Sequence, residues 1–170
     1  MEHFYQNIEG YFNFQKLYSQ IVDWSKDGYH FLEMGSYRGC STSYMIVEII
    51  NSGKKITFDV VDCFNDSSCE IFTKNLENVS EYYNLVRGYS EKVSQNYLDE
   101  SLDFVFIDGN HDYDSIKLDI NSWYPKVKKG GILAGHDYSE KAFPGVVQAV
   151  KEFFNDNYEI TDSYCWVFKK

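Results

Sequence analysis

A strand that runs into a glycine turn and then into a helix constrains this chain most, and residues 31–42 encode it. Tyr29, Phe31, Leu32 and Met34 form a short apolar run around one acid, Glu33. Gly35 and Gly39 shape the turn, and a helix with Met45, Ile46, Ile49 and Ile50 on one face opens after it. Glycine at such places lets the backbone turn tightly and lets a ligand lie against bare main chain. Ser41 or Thr42 is the expected helix cap. Open α/β sheets hold nucleotide-like cofactors with this unit, at the carboxyl ends of their strands.

The turn chemistry selects among cofactors. A dinucleotide fingerprint counted from Gly35 needs glycines at 37 and 40, where this chain has Tyr37 and Cys40. The Gly-Lys-Ser/Thr ending of a phosphate-cradling loop is also missing. An NAD-binding oxidoreductase is therefore the weakest reading, and a tight turn without any ligand is the plain alternative.

The rest of the chain alternates strands and helices. Phe14, Leu17, Ile21 and Trp24 predict a helix over 11–26. Residues 55–62 read as a second strand, and its last residue, Asp62, is placed to accept hydrogen bonds from ribose hydroxyls. Residues 83–87 form a weaker third strand. Residues 102–108 read as a fourth strand, with an unbroken apolar run from Phe104 to Ile107 before Asp108, which predicts a central parallel strand covered on both faces. A helix with Ile116, Ile120, Trp123 and Val127 in phase follows, with Pro125 ending it early. Lys128 to Gly131 should turn the chain into a fifth strand, 132–136, and a last helix should cover 145–155. Strands at 158–161 and 164–168, joined only by Asp162 and Ser163, must pair antiparallel. The expected architecture is one α/β domain over 1–170, with a helical segment at 1–27 and the core at 28–170.

Asp108 and Asp137 each end a strand, and those strands should be neighbours about 4.8 Å apart. His111 and His136 stand beside them. Such a cluster can bind a divalent metal through oxygen or supply a general base, and it suits a cationic ligand.

Bulk properties narrow the partners. Twenty-six acids against 16 basic residues give a formal charge of −10, and Lys126, Lys128 and Lys129 form the one basic cluster. Nucleic acid and anionic membrane surfaces are disfavoured on that ground. Residues 1–5 lack the basic start and apolar run of a signal peptide. The longest apolar run, 44–50, is broken by Glu48 and is too short to span a bilayer. Four cysteines (40, 63, 69 and 165) form no Cys-x-x-Cys pair and read as thiols in a reducing compartment, so a cytoplasmic protein is expected.

The Glu-x-Gly-Ser-Tyr-Arg-Gly-x-Ser-Thr stretch from Glu33 resembles the first signature of class I S-adenosylmethionine-dependent methyltransferases, in particular the cephalosporin-hydroxylase-like and small O-methyltransferase branch. The blocks 106–113, 130–138 and 143–150 extend the resemblance in order, leaving only the segment up to about Asp27 outside it. The resemblance implies a Rossmann-like seven-stranded sheet in the order 3-2-1-4-5-7-6, mostly parallel with strand 7 reversed, and helices on both faces. It implies S-adenosylmethionine as cofactor, with Glu33 holding the methionine ammonium directly or through water. Gly35, Ser36, Tyr37, Gly39 and Ser41 would meet the methionine and ribose. Asp62 and Cys63 would meet the ribose, and Tyr89 and Ser90 the adenine, while Asp108, Gly109 and His111 would complete the pocket.

Catalysis is expected from Asp108, Asp137, His111 and His136. Metal-dependent relatives carry an acid where this chain has His136, so a magnesium ion on Asp108 and Asp137 and a histidine base both remain open. The expected reaction is O-methylation of a sugar, glycan precursor or small hydroxylated metabolite. A non-catalytic cofactor-binding subunit is the alternative. Little chain is left for a lid, so residues 1–13, 63–68 or 138–144, or a second copy in a homodimer, should recognise the acceptor.

Overall fold

The computed structural model describes residues 1–64 and 66–170, with Asp66 described by its backbone alone. Asn65, in the 63–68 loop expected to help recognise an acceptor, lies outside the described residues. The strands are β1 (His30–Met34), β2 (Thr57–Asp62), β3 (Asn84–Arg87), β4 (Leu102–Ile107), β5 (Val127–Gly135), β6 (Glu159–Ile160) and β7 (Trp166–Lys169). They form one seven-stranded sheet in the order β3-β2-β1-β4-β5-β7-β6. The pairs from β3 through to β5 are parallel, while β7 runs antiparallel to both β5 and β6. The expected topology is the one observed.

Period-2 alternation assigns each strand residue to one of two cores. Phe31, Phe58, Val60, Phe104 and Phe106 point to one face. There they meet Tyr18 and Ile21 of α1 (Gln15–Trp24), Met45 and Ile46 of α2 (Cys40–Ser52) and Phe72 of α3 (Asp66–Asn75). Leu32, Met34, Val61, Val105 and Ile107 point to the other face. They meet Val93 of α4 (Ser90–Val93), Ile116, Ile120 and Trp123 of α5 (Tyr113–Trp123), and Val146 and Val150 of α6 (Pro144–Phe154). All of β4 is buried, as a central strand covered on both faces must be. Each buried side chain of this size contributes about 1.5–3 kcal/mol relative to exposure.

Three boundaries differ from expectation for local reasons. Helix α1 starts at Gln15, because residues 11–13 take no regular structure and carry Asn13 across to His136, where its Oδ1 lies 2.9 Å from Nε2. Helix α2 is capped by Gly39 at φ 89° with no side-chain cap bond, since Ser41 and Thr42 donate to Glu33 instead. Strand β5 begins at Val127, and the expected turn is an irregularity inside it. Between the pairs Leu102–Val127 and Phe104–Ile132 it carries extra residues within Lys128–Gly131, held by Gly130 N–H to Lys170 O at 2.7 Å and Lys170 N–H to Gly131 O at 2.9 Å. The amino-terminal aromatics are mostly covered. Phe4, Tyr5 and Phe12 pack against the core, and Tyr11 alone of that set stays open, at 75% exposure.

Candidate active site

The site lies where the tips of β1, β2, β4 and β5 converge. Gly35 turns the chain out of β1 at φ 85°, and its N–H donates to Val61 O at 2.9 Å. Neighbouring β4 approaches so closely that a Cβ on Gly35 would stand 2.0 Å from Asp108 O. Asp62, at the tip of β2, holds the turn from the other side. Its Oδ2 accepts from the Ser36 and Tyr37 N–H groups at 2.8 and 3.0 Å, and its Oδ1 accepts from Phe64 N–H at 2.9 Å. Oδ2 also takes the Ser36 hydroxyl at 3.4 Å, whereas Oδ1 has Phe64 N–H alone, and since each carboxylate oxygen offers about two acceptor positions, Oδ1 has room for a ligand hydroxyl. Tyr37 sits at φ 49°, a region that a bulky side chain enters only where the surroundings hold it.

A cleft of about 670 Å³ opens over this turn, within the roughly 300–1,000 Å³ of small-molecule sites. Of the residues expected to bind cofactor, Gly35, Ser36, Tyr37, Ser41, Asp62, Cys63, Tyr89, Ser90, Asp108 and Gly109 line it. Its floor is bare backbone at Gly109, where a Cβ would come within 2.9 Å of Met34 Sδ. Such a cradle fits S-adenosylmethionine.

Glu33, Gly39 and His111, all expected to meet the cofactor, do not line the cleft. Strand parity turns Glu33 onto the α1–α2 face, where it is 1% exposed. Its carboxylate accepts from the hydroxyls of Thr42 at 2.6 Å and Tyr18 at 3.1 Å, and from Ser41. Burial pushes its carboxyl up to about 7, against the lowering effect of the Ser41 and Thr42 hydrogen bonds. Here Glu33 ties β1 to the start of α2.

The four candidate catalytic side chains gather at the tips of β4 and β5. His111 Nε2 lies 2.6 Å from Asp137 Oδ2, and its ring packs on Phe143 with centroids 4.5 Å apart. His136 is buried, with Nδ1 3.2 Å from Asp137 Oδ1 and 3.7 Å from Asp108 Oδ1. Its Nε2 faces Asn13, so both ring nitrogens are engaged by oxygens. Burial pushes the Asp108 carboxyl up to about 7, with His136 lowering it and Asp137 raising it. Burial acts upward on Asp137 too, but hydrogen bonds from His111 and His136 outweigh it and hold that carboxyl well below the usual range. The Asp137 hydrogen bond raises the pKa of His111 in turn. Asp137 itself stands at φ 61°.

Asp108, His111 and Asp137 each bring a possible ligand atom within 4.8 Å of the others. The set does not suit magnesium, which takes a near-octahedral oxygen shell. One donor is an imidazole nitrogen, and both Asp137 oxygens already face imidazoles. The pairing is that of a base held by a carboxylate.

Tyr11 and Phe64 line the cleft from the 1–13 and 63–68 segments expected to help recognise an acceptor, while sequence reasoning gave no part to Glu91, Ser115, Leu118 or Asp119. It also missed Asn13 as the partner of His136. Asp119 carried a signal, because it shares a helix face with Ile116, Ile120 and Trp123, where an acid breaks an apolar stripe. The pairing of Asn13 with His136 carried none, since only the fold brings the two together.

Comparison with known proteins places these features. A family described as a methyltransferase domain matches residues 32–138. An uncharacterized protein of Acanthamoeba polyphaga mimivirus is 28% identical over 146 residues, which are 77% of this chain and 62% of that protein. The chain thus spans about 62% of the length of the curated relative it matches. Among solved structures, one provisionally named a caffeoyl-CoA O-methyltransferase, from Staphylococcus aureus, aligns with TM-score 0.71 at 16% identity, covering 97% of this chain and 87% of that one. A methyltransferase from Aquifex aeolicus, described as S-adenosylmethionine-dependent, aligns with TM-score 0.66 at 13% identity, covering 91% and 87%. A TDP-rhamnose 3'-O-methyltransferase of calicheamicin biosynthesis aligns with TM-score 0.67 at 14% identity, covering 91% and 75%. At these identities the structural likenesses concern the fold.

Proposed function

This chain belongs to the methyltransferase-domain family, and from that premise we propose that it is a class I S-adenosylmethionine-dependent O-methyltransferase. The observation that carries the reading is the joining of a bare-backbone cleft to a histidine–carboxylate pair through Asp108, which lines the cleft and lies 3.7 Å from His136. S-adenosylmethionine, when bound, supplies an electrophilic methyl group on a sulfonium. Gly35 and Gly109 give it main chain to lie on, and Asp62 accepts a ribose hydroxyl. Asp108 sets a carboxyl near the cationic end.

Methyl transfer to oxygen requires alignment and removal of one proton. His111 removes it. Asp137 occupies Nε2, which leaves Nδ1 to accept the acceptor's hydroxyl proton, and the Asp137 carboxylate stabilises the imidazolium that forms. His136 and Asn13 position Asp137 from the buried side. No step in this reading needs a metal.

A hydroxyl-rich acceptor, a sugar or glycan precursor, is favoured by a second groove of about 470 Å³ that shares Asn13 with the reaction centre. Amides, hydroxyls and charges of Asn13, Lys16, Gln20, Thr161, Asp162 and Ser163 line it beside the apolar Leu17 and Ile160, a mixture suited to the hydroxyls and C–H faces of a sugar. Transfer of a labelled methyl group to a panel of free sugars, nucleotide sugars and small phenols tests the proposal. Label on a sugar oxygen supports it. Tight cofactor binding with no transfer to any acceptor would favour the binding-subunit reading.

A further inference from the structure

One acid in the cleft has no part in the chemistry above. Asp119 lies on α5 among Ile116, Ile120 and Trp123, is 7% exposed, and still lines the cleft. Packing alone would favour a leucine there, since burying a carboxylate is costly unless something pairs with it. Ser90 holds it in place. Trp123 Nε1–H donates to Ser90 Oγ at 2.7 Å, which leaves the Ser90 hydroxyl proton free for the neighbouring Asp119 carboxylate, whose pKa Ser90 lowers against the upward push of burial. Asp119 Oδ2 then lies 3.8 Å from the point a Cβ on Gly109 would occupy, at the cleft wall.

Its position in the cleft selects its partner, on the reading that S-adenosylmethionine is the cofactor. The sulfonium belongs beside Asp108 and the ribose beside Asp62, so the purine falls at the remaining end, between the 88–91 turn and α5. Tyr89 and Leu118, 69% and 49% exposed, supply flat apolar walls there. Adenine presents an amino group with two N–H donors at C6, whereas hypoxanthine presents a carbonyl oxygen. We infer that Asp119, oriented by Ser90, accepts a hydrogen bond from the adenine amino group and so makes the site selective for adenine over hypoxanthine. Burial pushes the Asp119 carboxyl up to about 6, which leaves it mostly ionised, and an acceptor, at pH 7.

Calorimetry with S-adenosylhomocysteine and S-inosylhomocysteine, on wild type, Asp119→Asn and Asp119→Ala, tests this. Wild type should prefer the adenosyl compound by about tenfold or more, the size of one hydrogen bond to a charged acceptor. Asp119→Ala should lose that preference through weaker adenosyl binding, with inosyl binding unchanged or improved, which also reports a folded site. Asp119→Asn, whose amide can accept from the adenine amino group or turn to donate to the hypoxanthine oxygen, should shrink the preference by improving inosyl binding. Undiminished preference in Asp119→Ala overturns the inference alone. A wild type that binds neither compound overturns the cofactor reading and the inference with it.

Discussion

Gly35→Ala is the most demanding test of how the strand tips make the cleft. The added Cβ would stand 2.0 Å from Asp108 O, 2.5 Å from Asp108 C and 2.9 Å from Gly109 N. Ordinary contacts need about 3.5 Å, so the tip of β4 must retreat by roughly 1.5 Å, and Asp108 and Gly109 must move with it. Two costs add. Holding alanine at φ 85° costs about 1–2 kcal/mol, and forcing atoms into a filled space typically costs about 1–3 kcal/mol more. The sum, about 2–5 kcal/mol, should lower the melting temperature by roughly 4–20 °C for a chain of this length. Gly53→Ala separates the two terms, since Gly53 also has positive φ, 67°, but nothing lies within 4 Å of its Cβ position. It should cost only the first term, about 1 kcal/mol. Thermal unfolding, followed by calorimetry with S-adenosylhomocysteine below the transition, reads both effects. Equal destabilisation in the two variants, or undiminished cofactor binding in Gly35→Ala, would refute the reasoning.

Asp62→Ala removes the acceptor assigned to the ribose and should weaken S-adenosylhomocysteine binding by about 1.5–3 kcal/mol, read by the same calorimetry. A change under tenfold would mean that Asp62 serves the turn alone. Turnover should survive chelator and rise with pH, because only neutral imidazole accepts the proton. Asp137 raises the His111 pKa, so the rising limb should lie above the ordinary value of about 6.5. Asp137→Asn should shift that limb to lower pH and cut the maximal rate. His111→Ala should abolish the limb, whereas Asn13→Ala should slow the rate and leave the limb in place. Loss of activity in chelator, restored by magnesium, would sink the metal-free mechanism.

The sheet was legible because its signals are local and strong. Continuous apolar residues at 104–107 state that β4 is covered on both faces, and the two-residue link at 162–163 forces an antiparallel pair. The positions of Asp62, Asp108 and Asp137 followed from strand ends alone. The role of Glu33 did not, because strand parity, not proximity to the turn, decides which face its side chain takes. The differing tasks of the two histidines were equally hidden. His136 is sealed by Asn13 from 123 residues away, whereas His111 keeps 40% of its side chain exposed. Long-range partners of this kind leave no periodic trace in a single sequence.

The carboxylates lining the cleft, Asp62, Glu91, Asp108 and Asp119, have a consequence for turnover. A sulfonium donor enters a negative basin as a cation, and methyl transfer leaves a neutral thioether behind. The reaction thereby cancels the attraction that brought the cofactor in, so the spent form is held less tightly than the fresh one. Low local permittivity enlarges that difference and dissolved salt screens its outer part. The affinity ratio of the two forms should therefore narrow as ionic strength rises, and a ratio indifferent to salt would mean that the acids act only through their hydrogen bonds. Product release, often the slow step of an enzyme cycle, is on this view driven by the positive charge that the chemistry moves off the cofactor and, as a proton, onto His111.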